Sequence, residues 1–248
     1  MNKSISSAAC VNNPHCFSAL VLFLLLLSGD LAFIALHIAN SAFFDVPLSI
    51  YNVEQDRGVA EFFQYLKYLW IIALLFLTSW TKKNWHYLTL IMLFAYFLID
   101  DSLTIHESYG MRFAYKFEHY EFGPFWGLRL QDFGELTVTF LISCFLIIPL
   151  VLVYRIAGEE YRKFSLDIFI LILVLAFFGV GIDMVHIIIN IESKVLGVIE
   201  DGGEMISLSA INAYVYYKLL NKEHNDFYLC SLLRNQFMNQ KNLIRPWS

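Results

Sequence analysis

At 248 residues, of which 58% are hydrophobic and 16% charged, the chain carries more apolar surface than a water-soluble fold of its length can bury, so a soluble domain is excluded. Its formal charge of −5, with no dense basic cluster outside the apolar segments, sets nucleic acid aside as a partner. Membrane lipid is the expected surrounding, because a hydrocarbon layer about 30 Å thick takes roughly 20 apolar residues per helix and runs near that length recur along the sequence.

The chain opens with a polar stretch to about Pro14. A run too long for a signal-peptide core follows, read as a retained first helix over 17–37. Further apolar runs cover 62–80, 87–105, 136–153, 168–189 and, more weakly, 205–220, where Ser207, Ser209 and Asn212 interrupt the pattern. The expected fold is an all-α polytopic membrane bundle of about six transmembrane helices. It occupies residues 1–222, with 223–248 as a cytoplasmic tail that suits either an interfacial helix or an ordinary tail. Lys82, Lys83, Arg155, Arg162, Lys163 and Lys218 share one side, which places both termini in the cytoplasm and the protein in the inner (cytoplasmic) membrane. The opposite connections, 40–61, 108–135 and 190–204, are poorer in cations for their length. The aromatic segment 109–126 reads as an interfacial belt, with a lid over the site as the alternative. Four scattered cysteines without CxxC spacing are expected to be reduced.

The outward helix ends share a pattern. Each arriving helix carries an Asp and then a His: Asp30 with His37, Asp100 or Asp101 with His106, and Asp183 with His186. Each returning helix opens on an Asp, a Gly and a Glu: Asp56 to Glu61, Asp132 to Glu135, and Asp201 to Glu204. The unit suggests three repeated helical hairpins with a site where they meet. At about 100° per residue, Asp100, Thr104 and Glu107 share one face while Asp101 falls outside it. Glu61 aligns with Gln64 and Tyr68, Gln131 with Glu135 and Thr139, Gly179 with Asp183 and His186, and Glu200 with Glu204 and Ser207.

An ionisable group in hydrocarbon costs several kcal/mol unless it is paired or ligated, and the acids at these helix ends far outnumber the cations, with Lys67 alone inside a span on that side. A bound divalent metal, zinc, iron or manganese, would resolve the imbalance; shared protons are the rival solution. The expected ligands are Glu61, Asp100, His106, Glu135, Asp183, His186 and Glu200, with Glu107 and Glu204 as general bases. Asp56, Asp132 and Asp201 read as helix caps and His37 as an interfacial residue. The chemistry expected of such a site is metal-dependent hydrolysis of a lipid-like substrate. The alternatives are a metal-ion or proton-coupled transporter and a structural subunit holding an ion. The apolar inner halves 22–27 and 140–151 argue against a through-path.

The run from Leu98 to Glu107 and the later Glu200-Asp201-Gly202-Gly203-Glu204-Met205 resemble uncharacterised bacterial multi-span membrane proteins with similar acidic helix ends, a resemblance that implies no activity. Ser102 with His106 is also similar to ceramidase-type membrane hydrolases, in which Ser, Asp and His on helices hold zinc. The late-helix HxxxH pair of those hydrolases is absent.

Overall fold

The structure, a computed structural model, describes residues 14–43, 49–117, 130–185 and 194–221. They form seven α-helices and no strand: α1 (Pro14–Phe43), α2 (Val59–Lys82), α3 (Leu88–Leu103), α4 (Ile105–Phe117), α5 (Leu130–Ile156), α6 (Glu159–Ala176) and α7 (Lys194–Leu220). A π turn over Phe177–Ile182 carries α6 on to Val185. The expected tail 223–248 lies outside the described residues.

Among the described residues, five stretches are long and apolar enough to cross a membrane: Pro14–Phe43, Val59–Lys82, Trp85–Leu103, Leu130–Ile156 and Glu159–Val185. The chain is thus a multi-pass membrane protein. The expected sixth span is a helix of 27 residues, long enough but not apolar enough to join them. It begins at Lys194, so much of the expected connection 190–204 is helical.

That polar helix is the hub of the bundle. α7 packs against α1, α2 and α6; its Leu208, Ile211 and Val215 are fully buried with Ile71, Leu75, Phe94 and Ile168, and its Met205 is fully buried with Val53 and Ala60. α5 behaves in the opposite way: no residue of its most apolar stretch is buried, and Phe140, Phe145, Ile148 and Leu152 point outward. A bilayer permits this inversion, since lipid tails cover the apolar helices while neighbours cover the polar one.

Backbone breaks fix where the helices stop. α2 ends at Lys83 in the left-handed region (φ 48°), with the Asn84 N–H returning to the Ser79 carbonyl at 3.1 Å. Thr104 is also left-handed (φ 47°), so α3 ends there and α4 starts afresh at Ile105. The first half of the expected belt or lid is therefore helix. Residues 118–129 lie outside the described part.

Cys16 is disulfide-bonded, which corrects the expectation of four reduced thiols; Cys144 is free.

Candidate functional site

The segment before α2 is the first wall of the site. His37, buried on α1, accepts the Val53 N–H at Nδ1 (3.2 Å), and Asn52 Oδ1 accepts the Glu54 N–H (3.2 Å). Gly58 closes the turn on the Gln55 carbonyl at 2.9 Å. Glu61, in the first turn of α2, accepts hydrogen bonds from the Arg57 N–H and from the Tyr65 hydroxyl, a carboxylate placed where the helix dipole favours it. His37 is thus a buried anchor for this loop, not the interfacial residue expected.

The second wall comes from the α3–α4 break. The His106 N–H donates to Asp100 Oδ1 and its Nδ1–H to Asp100 Oδ2, both at 3.1 Å. Nε2 is left 4.0 Å from Glu107 Oε1. Both groups lie outside the spanning segments. The hydrogen bond to Asp100 raises the His106 pKa above the usual imidazole value, against the opposing effect of burial. Burial raises the Glu107 carboxyl as well, helped by the charges of Asp56, Glu135 and Glu61.

α5 reaches the site because Gly110 and Gly134 meet: a Cβ on Gly134 would stand 2.7 Å from the Gly110 carbonyl oxygen. Only small residues allow so close a crossing. It carries Gln131 and Glu135 to the cavity, hydrogen-bonded to each other at 2.9 Å.

The last walls are the π turn and α7. Asp183 lies eight residues past buried Leu175, about 80° round a regular helix; a π turn takes up roughly one residue, about 100°, and returns it to within about 20° of that line. Gly179, Asp183, Gly197, Glu200, Asp201 and Glu204 all line the cavity.

The result is one cavity of about 440 Å³. Among the described residues ten carboxylates line it, those of Glu54, Asp56, Glu61, Asp101, Glu107, Glu135, Asp183, Glu200, Asp201 and Glu204, with His106, Gln55, Gln64, Gln131 and Thr104 and no Lys or Arg.

Of the expected site residues, Glu61, His106, Glu107, Glu135, Asp183, Glu200 and Glu204 are gathered here. Asp100 is not on the wall; it is hydrogen-bonded to His106 from behind, and Asp101 takes the place on the wall. The left-handed Thr104 is the reason, since a helical wheel run unbroken from Asp100 to Glu107 assigns the wrong aspartate. His186 lies outside the described residues. Asp30, counted among the surplus acids, is instead paired with Lys67. Asp56 and Asp201, expected as caps, line the cavity, whereas Asp132 is buried away from it, so the three hairpin ends are not placed alike. Among the described residues, no three His, Cys, Asp or Glu side chains converge closely enough to hold a single metal ion. Glu54 was missed because nothing in the sequence marks the loop before α2 as a wall.

The family profile of a domain of unknown function (DUF8692) matches residues 16–217. The chain belongs to that family. The DUF8692 match takes in every residue that lines the cavity. No curated protein and no solved structure matches the chain.

Proposed function

We propose that this membrane protein binds divalent cations in its acidic cavity. The observation that carries the reading is the lining: among the described residues, ten carboxylates and one imidazole face a single space, with no Lys or Arg. Like charges so crowded in a partly desolvated site cannot all ionise unless a cation or shared protons offset them. Lys67, the nearest buried ammonium on α2, is committed to Asp30.

The donor set favours hard ions. Carboxylate oxygens suit manganese, magnesium and calcium, whereas zinc and iron call for more nitrogen or sulfur than His106, the one imidazole among the described lining residues, supplies. His106 nevertheless has the form of a metal-ligating histidine, because its Nδ1–H is held by a carboxylate and Nε2 is turned to the acids. Within this reading Glu107 and Glu204 are cation-binding carboxylates first. A general-base role toward a lipid-like substrate rests on their place in the cavity alone.

A second reading, passage of a cation or proton, has one observation in its favour. Buried polar groups continue along α7 beyond the cavity, at Ser209, Asn212 and Lys218, while the apolar stretch 140–151 that speaks against a path lies on outward-facing α5. Against it stands an apolar layer of fully buried Ile71, Leu75, Leu208, Ile211 and Val215.

The test is elemental analysis of the purified protein, dialysed against manganese or calcium, beside His106→Ala and Glu204→Gln variants. A stoichiometric ion in the wild type that falls in the variants supports the reading; a metal-free wild type overturns it.

A further inference from the structure

Gln64 lies on α2 one turn beyond Glu61 and lines the acidic cavity, although it is only 7% exposed. Among the described residues its side-chain amide has no hydrogen-bond partner. A buried amide in that state is costly unless something in the cavity bonds to it. The two other glutamines of the wall are engaged through their amide hydrogens: Gln55 Nε2 donates to the Asp56 carbonyl at 3.2 Å and Gln131 Nε2 to Glu135 Oε1 at 2.9 Å. Each therefore keeps its amide oxygen as an acceptor. With ten carboxylates beside them, the described wall is rich in acceptors and poor in donors.

We infer that the cavity takes an extended organic polycation, a linear polyamine with spaced ammonium groups, and that Gln64 accepts one of its N–H hydrogens. The inference goes beyond the divalent-cation reading and does not need a metal to bind. Ammonium nitrogens offer only donors, the complement of a wall made of acceptors. Spacing is the second match. Glu61 comes from α2, Asp101 and Glu107 from the α3–α4 break, Glu135 from α5 and Glu204 from α7, and among the described residues no three His, Cys, Asp or Glu side chains converge on one point. A ligand with its charge on one atom meets few of these groups at once, whereas a flexible chain carrying several charges reaches carboxylates on separate walls. The volume of about 440 Å³ also falls in the range, roughly 300–1,000 Å³, of cavities that enclose small organic molecules.

The experiment is calorimetric titration of the full-length protein in detergent, at fixed ionic strength and without divalent metal, comparing the wild type with Gln64→Met, a change of similar volume. The probes are spermidine, butylamine and permethylated spermidine, which keeps the charges of spermidine but has no N–H. The wild type is expected to bind spermidine saturably, and the other two at least about tenfold more weakly. Gln64→Met is expected to lose about tenfold for spermidine and nothing for the permethylated compound, with the melting temperature of the ligand-free protein unchanged. Should the variant fail to fold, the wild-type comparison of spermidine with its permethylated form still decides. No binding of spermidine by the wild type, the result if water alone meets Gln64, overturns the inference. Equal affinity for spermidine and the permethylated compound, or unchanged spermidine affinity in the variant, overturns it too. Titration of the wild type with manganese or calcium alone is read separately, so either reading can fail while the other stands.

Discussion

Lys67 donates its ammonium hydrogen to the Asp30 carboxylate inside the bundle, where both side chains are fully buried. Asp30 also accepts the Ser209 hydroxyl at 2.6 Å, and Lys67 reaches the Met205 carbonyl at 2.8 Å, so α1, α2 and α7 are tied together just beyond Glu204. The Lys67 ammonium further sits 4.6 Å from the centre of the Phe63 ring. Removing one partner strands a charge in a medium that cannot solvate it, a loss of about 3–5 kcal/mol. Lys67→Met and Asp30→Leu are each expected to lower the melting temperature sharply in detergent, and the double variant to recover much of it. Single variants as stable as the wild type would show that the pair does not hold the hub.

The Asp100–His106 contact sets a pH dependence. The folded-state pKa of His106 lies above its unfolded value of about 6.5, so the protonated ring stabilises the fold fully below that value. The contribution is lost as pH rises through the folded pKa. Asp100→Asn is therefore expected to destabilise the protein more at pH 6 than at pH 9, and NMR titration should show the His106 pKa falling in the variant. A stability difference independent of pH would contradict this.

Glu107 adds to the same trend with pH. Its folded pKa is raised, mainly by burial, so the folded form holds its proton more tightly than the unfolded form and stability falls as pH rises from about 4.3 through the raised value. Without divalent cations, Glu107→Gln is expected to be more stable than the wild type at neutral pH and to show no such gain at pH 4. With manganese or calcium added, the advantage should shrink or reverse. Thermal unfolding at the two pH values, with and without the ion, reads all of these outcomes.

The Gly110–Gly134 crossing gives a structural prediction. A side chain at 134 meets the Gly110 backbone and the Phe113 Cβ, neither of which yields cheaply. Gly134→Leu is expected to cost about 1–3 kcal/mol and to draw Gln131 and Glu135 away from the cavity. Equal stability and equal cation affinity in this variant would mean that α4 and α5 do not need so close an approach.

The sequence conveyed the membrane class through the length of its apolar runs, and the gathering of acids through their position at one end of those runs. It conveyed the facing side chains helix by helix, as with Glu61 and Gln64 or Glu200 and Glu204, because a regular helix obeys its own period. What stayed hidden depended on relations between helices or on breaks within them. The exchange of Asp101 for Asp100 follows from a left-handed threonine that no residue preference announces. The pairing of Lys67 with Asp30 joins residues on two helices whose relative rotation the sequence does not encode locally. The apolar stretch 140–151 looked like evidence about the interior, but it lies on a helix that faces outward, and the interior belongs to the more polar α7.

The most direct measurement of the central claim is calorimetric titration of the purified protein with manganese or calcium, beside a variant carrying Glu107→Gln, Glu200→Gln and Glu204→Gln. The account expects saturable binding by the wild type and its loss in the charge-depleted variant. Heat of binding that is absent from the wild type, or the same in both proteins, would contradict it.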